Sequence, residues 1–294
     1  MAQISANGIN LEYDTFGEES NRPLLLVMGL GAQMIHWDAD FCDMLAEAGH
    51  FVIRYDNRDI GLSEKMGQFS IPDMAQMMAD FLEGNTPEVP YSLDDMAADG
   101  MGLLDALDID QAHICGASMG GMIVQAMAIN HGDRIRSMTS IMASTGNPDL
   151  PPASPEARTA LTTTAEENEA AVVQRAIEMN AVVGSPGFEF DIERATGKAI
   201  AAFNRSFYPA GIARQMAAVA AHGDRRERLK QISVATLVIH GTDDCLVPVE
   251  GGIDTHENIK NSTLMLIEGM GHDLPVGAWK RIVDGVSNLT RSQA

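Results

Sequence analysis

The sequence predicts an α/β fold, a mostly parallel sheet of eight strands with helices on both faces. Three observations carry this. Short apolar runs alternate with amphipathic stretches along most of the chain, the pattern of strands joined by helical crossovers. Several of the apolar runs are continuous rather than alternating, as strands covered on both faces must be. Right-handed crossovers through the intervening helices would bring the strand C-termini to one edge, where ligands bind in open sheets.

Taken in order, Ile4 to Ala6 and Ile9 to Phe16 flank Asn7-Gly8, a hairpin turn signal. Pro23 to Met28 (PLLLVM) and His50 to Asp56 (HFVIRYD) predict buried strands. Ser92 is a good N-cap for a helix running to about Leu107, with Asp94 and Asp95 in the first turn where the helix dipole favours anions. Ala112 to Cys115 and Ile135 to Met142 predict strands on either side of a helix from Met119 to Asn130. Thr236 to His240, Ser262 to Ile267 and a helix from Val276 to Asn288 complete the pattern.

Two regions break this rhythm. Residues 64–91 interpose a short apolar-periodic stretch, and residues 146–222 open with Pro148, Pro151, Pro152 and Pro155 before reading as several helices, including 165–183 and 194–207. The expected organisation is a core made of 1–145 and 223–294, a helical cap at 146–222, and a smaller lid insertion at 64–91.

Charge and cysteine usage narrow the function classes. Forty-one Asp and Glu against 20 Lys and Arg leave a net charge of −21, which disfavours nucleic-acid and anionic-membrane partners. No apolar run approaches the ~18 residues of a membrane span. The first residues lack the basic segment and apolar block of a secretory leader. Cys42, Cys115 and Cys245 are odd in number and widely spaced, so neither a disulfide framework nor a metal site is expected. A reducing, cytoplasmic setting fits these features; the oligomeric state is left open.

The chemistry centres on Gly116-Ala117-Ser118-Met119-Gly120. A bare G-x-S-x-G is a weak signal, but here it directly follows one predicted strand and directly precedes a helix. Such a sharp turn projects a serine Oγ above the sheet, and the two glycines relieve the collisions a Cβ would cause. The helix N-terminus adds free N–H groups aimed at developing negative charge. A serine hydroxyl needs a base. His272, in Gly269-Met-Gly-His272 after the last strand, is the histidine placed to serve, whereas His240 sits within or at the end of its strand and reads as a packed residue. An acid must orient the imidazole; Asp243 and Asp244 both qualify by position. Two backbone donors for an oxyanion are expected, Met119 after the nucleophile and Leu30 in Met28-Gly29-Leu30-Gly31.

These segments together, with Arg54-Tyr-Asp-Asn-Arg-Asp-Ile-Gly-Leu-Ser63 and His240-Gly-Thr-Asp-Asp-Cys-Leu-Val-Pro248, resemble the α/β-hydrolase superfamily over nearly the whole chain. The likeness is greatest to the group containing aclacinomycin methylesterase. It implies a Ser118–His272–Asp244 triad, since the acid of such proteins stands four residues before a proline, here Pro248. The chain departs from many relatives in having Met28-Gly29 in place of His-Gly, Asp59 in place of a glycine, and Cys245 in place of a proline. The likeness also implies that Asp56, Arg58 and Asp59 brace the loop beneath the site rather than clamp a charged substrate.

The implied activity is carboxylic ester hydrolysis through an acyl-enzyme, with no cofactor and no metal, on small to medium apolar esters. Gly29, Met74, Met77 and Met78 are candidate pocket residues, the methionines lying on a helical stripe that reads either as ordinary packing or as a deformable lid wall. Three rivals stand beside this reading: cofactor-free perhydrolysis of the haloperoxidase type, carbon–carbon bond hydrolysis, and a ligand-binding receptor without activity.

Overall fold

The computed structural model describes every residue except Gly84, Thr86 and Ala294, and omits the side chains of Met74, Met78, Phe81 and Leu82. Its strands are β1 (Ala2–Ala6), β2 (Ile9–Phe16), β3 (Arg22–Val27), β4 (His50–Tyr55), β5 (Ala112–Ala117), β6 (Ile135–Ile141), β7 (Ala235–Gly241) and β8 (Ser262–Ile267). Its α-helices are α1 (Ala39–Glu47), α2 (Met74–Leu82), α3 (Leu93–Ala106), α4 (Met119–Asn130), α5 (Pro155–Thr162), α6 (Glu169–Val183), α7 (Ile192–Arg205), α8 (Pro209–His222), α9 (Arg226–Leu229), α10 (Glu250–Asn258) and α11 (Val276–Ser292).

The strands form one sheet in the order β1-β2-β4-β3-β5-β6-β7-β8. β1 and β2 pair antiparallel through the Asn7-Gly8 turn, β2 meets β4 antiparallel, and every other pairing is parallel. The continuous apolar runs are explained by the two cores. On β3, Leu25 and Val27 join a cluster with Met96, Leu104, Ile123 and Met127 of α3 and α4. Leu24 and Leu26 face the other way, into a cluster with Phe41 of α1 and Trp279 and Ile282 of α11. Period-2 alternation thus buries both faces.

Local chemistry sets the helix bounds. The Ser92 side chain accepts from the Asp95 N–H while the Asp95 side chain accepts from the Ser92 N–H, a capping box that starts α3. Helix α4 is buried nearly all round, as suits an element wedged behind the central strands. In α11, Ala278, Trp279, Ile282, Val283 and Val286 make one buried stripe.

Between β6 and β7 the chain makes no strand, only α5 to α9. The ends of this excursion meet: Arg225 N–H donates to Thr145 O at 2.8 Å, and Gly146 packs on the Gly223 backbone. Buried ion pairs fasten its second half to the core. Arg214 on α8 grips Asp59 through Nε at 2.8 Å and Nη2 at 2.9 Å, and Arg205 at the end of α7 reaches Asp56 at 3.0 Å. Helix α8 lacks an apolar period in the sequence, because its buried face is built from Gly211, Arg214, Gln215, Ala217 and Ala218 rather than large apolar residues.

Candidate active site

Ser118 sits between β5 and α4 with φ 55° and ψ −121°, a left-handed conformation rarely tolerated outside glycine. The surrounding chain enforces it. Ser118 N–H donates to Ile141 O at the end of β6 (2.9 Å), and Ser118 O accepts from Met122 N–H (3.2 Å). A Cβ on Gly116 would run into the Gly120 carbonyl, and one on Gly120 into the Val27 carbonyl. Only glycine at both places lets strand, turn and helix close so tightly.

The loops after β7 and β8 bring two further groups to this serine. His272 Nε2 lies 2.9 Å from Ser118 Oγ, and His272 Nδ1 lies 2.7 Å from Asp244 Oδ2. A carboxylate only accepts, so Nδ1 carries the proton and Nε2 is left to accept from the serine hydroxyl. Asp244 Oδ1 accepts from the N–H groups of Leu246 (2.9 Å) and Val247 (2.8 Å). Burial pushes this carboxyl upward, but the His272 charge, nearby His240 and hydrogen bonds from His272 and Val247 outweigh it. Asp244 is held well below the usual carboxylate range. Its neighbour Asp243 is exposed and accepts from Gly269 N–H at 3.0 Å, bracing the histidine loop from outside.

The loop after β3 faces the serine from the other side. A Cβ on Gly29 would stand 3.1 Å from Ser118 Cβ, so the backbone passes in direct contact. Gln215 of α8 accepts from Gly31 N–H (3.0 Å) and donates to Arg58 O (2.9 Å), and Asn57 donates to Met28 O (2.9 Å). Among the described residues the N–H groups of Leu30 and Met119 have no hydrogen-bond partner.

All of this opens into a cavity of about 870 Å³, within the size range of sites for drug-sized ligands. Gly29, Leu30, Ser118 and His272 line it, together with residues of α6, α7 and α8. Most of its wall is apolar, and its methionines are Met28, Met142, Met179 and Met216. His36 also borders it; burial first, then the nearby Lys198 charge, lowers its pKa to about 4.

A family-level likeness accompanies the geometry. Residues 22–276 match the family described as alpha/beta hydrolase fold. The chain belongs to that family. Among curated proteins it is 26% identical to rhodomycin D methylesterase of Streptomyces peucetius, across 98% of this chain and 97% of that one. It is 29% identical to 3-oxoadipate enol-lactonase 2 of Acinetobacter baylyi, across 90% and 87%. Among solved structures, the meta-cleavage product hydrolase of Pseudomonas fluorescens superposes with a TM-score of 0.78 at 20% identity, over 100% and 98% of the two chains.

In this α/β hydrolase the residues singled out from sequence meet unequally. Ser118, His272, Leu30 and Gly29 come together on the lining of one cavity, with Asp244 behind His272 and Met119 directly after Ser118. Met77 does not: it is buried and absent from the cavity lining. The side chains of Met74 and Met78 lie outside the described residues. Asp56, Arg58 and Asp59 are all buried and paired, with Arg205, Asp99 and Arg214 respectively, which is a brace. His240 is packed, yet its Nε2 stands 3.6 Å from Asp244 Oδ2 while donating to Val247 O at 2.8 Å. No described helix is long and apolar enough to cross a membrane.

Proposed function

We propose that the protein is a carboxylic ester hydrolase working through a Ser118 acyl-enzyme. The single observation carrying this is the unbroken hydrogen-bond chain from Asp244 through His272 to Ser118, with the serine in a forced backbone conformation at the mouth of a largely apolar cavity. Ser118 Oγ attacks the ester carbonyl while His272 Nε2 takes its proton, and Asp244 holds the imidazole in the required tautomer and balances its charge. The tetrahedral oxyanion rests on the Met119 and Leu30 N–H groups, with the α4 N-terminus behind them. His272 then protonates the departing alcohol, and a water activated by the same histidine releases the acid. Residues 146–222 act as the cap that walls the substrate, and 64–91 as a smaller lid.

The cavity favours an apolar ester of moderate to large size. The methylesterase and lactonase names of the similar proteins support acyl–oxygen cleavage as the reaction class. The decisive test is turnover of p-nitrophenyl esters from acetate to octanoate by the wild type beside Ser118→Ala and His272→Ala. Each variant should lose at least about 10⁴-fold in kcat, and a fluorophosphonate should label Ser118 alone. Absent turnover with absent labelling sinks the hydrolase reading; dominant peracid formation from acetate and peroxide would replace it with perhydrolysis.

A further inference from the structure

The loop carrying His272 is held by two different parts of the molecule. Residues 269 and 270 are tied to the core, Gly269 N–H donating to Asp243 and Met270 O accepting from Asp243 N–H at 3.0 Å, while Gly269 O also accepts from Gly187 N–H in the turn after α6 at 2.9 Å. Residues 271 to 273 are held instead by the end of α6 and the turn after it. Gly271 N–H donates to Ser185 Oγ at 2.9 Å, and His272 N–H donates to Val183 O at 2.7 Å. The Asp273 carboxylate accepts from Asn180 Nδ2 at 3.3 Å and from the Ser185 hydroxyl. A Cβ on Gly271 would strike the Gly184 carbonyl, so the two backbones pass in contact. The same helix end reaches the acid loop, where the Cys245 thiol donates to Val182 O at 3.2 Å.

Carbonyls in the last turn of a helix have no partner within the helix. In α6 two of them, on Val182 and Val183, are satisfied by the residue after Asp244 and by His272 itself. The negative end of the helix dipole therefore lies against the histidine that must carry positive charge during the reaction. Asp273 is half-buried, and its partial burial pushes its carboxyl upward against the hydrogen bonds from Ser185 and Asn180.

We infer that Asn180, Ser185 and Asp273 are positioning residues, a clamp by which the C-terminus of α6 fixes the His272 imidazole for proton transfer. Besides walling the cavity, the cap completes the general base. This rests on the ester hydrolase reading for its catalytic consequence but not for its geometry.

The test separates the two. Asp273→Asn removes one acceptor from the clamp at constant shape, and Asn180→Ala and Ser185→Ala each remove a donor. Gln174→Ala, on the exposed face of the same helix, is the control. With p-nitrophenyl acetate, too small to use the cavity, the three clamp variants should lose about 10- to 100-fold in kcat with KM changed less than about twofold, while the control keeps wild-type kcat. Melting curves establish that each variant is folded, and any one folded clamp variant suffices. Proton NMR of the His272 Nδ1–H shared with Asp244 reads the geometry without turnover: this downfield resonance should move or broaden in the clamp variants and stay in the control. Unchanged kcat and an unchanged resonance in folded variants overturn the clamp. A shifted resonance in a protein that turns over no ester leaves the clamp standing and removes the hydrolase reading instead.

Discussion

The two halves of the helical insertion are attached to the core by different physics. Helices α7 and α8 are fastened by charge. Arg214 and Asp59 form a two-pronged pair with side chains 2% and 0% exposed, Arg205 meets Asp56, and Arg194 reaches Asp38 and Asp40. Helices α5 and α6 bury only Ala157, Ala160 and Val183 and make their contacts with the core through neutral donors, carbonyls and the one carboxylate of Asp273. The first kind of joint is expensive to break and fixes a position. The second is weaker and sits on the His272 loop, where small displacements change chemistry more than stability.

The largest stability effect should follow from cutting the charged joint at its most buried point. Arg214→Met leaves Asp59 buried with only the Met66 N–H and Tyr91 hydroxyl as partners. Removing one member of a buried pair costs about 3–5 kcal/mol, so the urea midpoint should fall steeply. A loss below ~1 kcal/mol would mean that the two halves are held alike.

Arg205→Met is the next step down. Asp56 keeps the Met34 N–H at 2.7 Å and the Leu62 N–H at 2.8 Å after the arginine is gone. The loss should be about 2 kcal/mol, the size of a charge-assisted hydrogen bond or two. Because Asp56 also positions the segment after the Leu30 loop, kcat for p-nitrophenyl acetate should fall severalfold as well. An unchanged kcat would confine this joint to stability.

The same contrast explains what the sequence made legible. The core elements announce themselves because burial on both faces demands unbroken Val, Ile and Leu runs such as Leu24 to Val27, and because the elbow demands glycine at 116 and 120. Ser118 and His272 follow from those constraints plus chain order, whereas the choice of Asp244 over Asp243 needed the family resemblance. The insertion obeys no such rule. Helix α8 is held by Arg214 and Gln215 and by alanine-sized contacts, so its buried face carries no apolar period. The methionine stripe on α2 has a strong period, but period reports burial and not what lies beyond it; Met77 is spent on packing, while the cavity methionines, such as Met179 and Met216, stand on other helices. The clamp on His272 was invisible for a different reason: backbone carbonyls such as Val183 O leave no trace in side-chain identity.

A smaller effect is expected at the rim of the charged half. Arg194 pairs with Asp38 and Asp40 but is about a third exposed, and such pairs contribute ~0–1 kcal/mol. Arg194→Ala should lower the urea midpoint only slightly in low salt and by nothing measurable in ~0.5 M salt, where the Debye length has shrunk to a few ångströms. A salt-independent loss would show that Arg194 works by stacking on Trp279, 5.3 Å from its ring centre, rather than by charge.

The most specific effect is set by acid. His36 lies where the loop after β3 meets α7, and burial with the nearby Lys198 brings its pKa down to about 4 in the folded protein, against about 6.5 in an unfolded chain. Between those values the unfolded chain binds a proton that the folded one refuses, so stability falls as pH drops from about 6.5 towards 4. Asp59 carries the same sign in a lower window. Burial raises its carboxyl, but Arg214, the Met66 N–H and Tyr91 outweigh this and lower it. Its contribution is present above the unfolded carboxylate value of about 3.9 and is lost as pH falls through the lower folded one. The charged half should therefore loosen in two stages, His36 first and Asp59 after it. His36→Asn should flatten the upper stage of the urea midpoint against pH and leave the lower one in place, whereas Asp59→Asn should do the reverse. If His36→Asn leaves the upper stage intact, buried His113 and half-buried His222, also lowered to about 4, carry the acid response, and the joint between α7 and the core is insensitive to it.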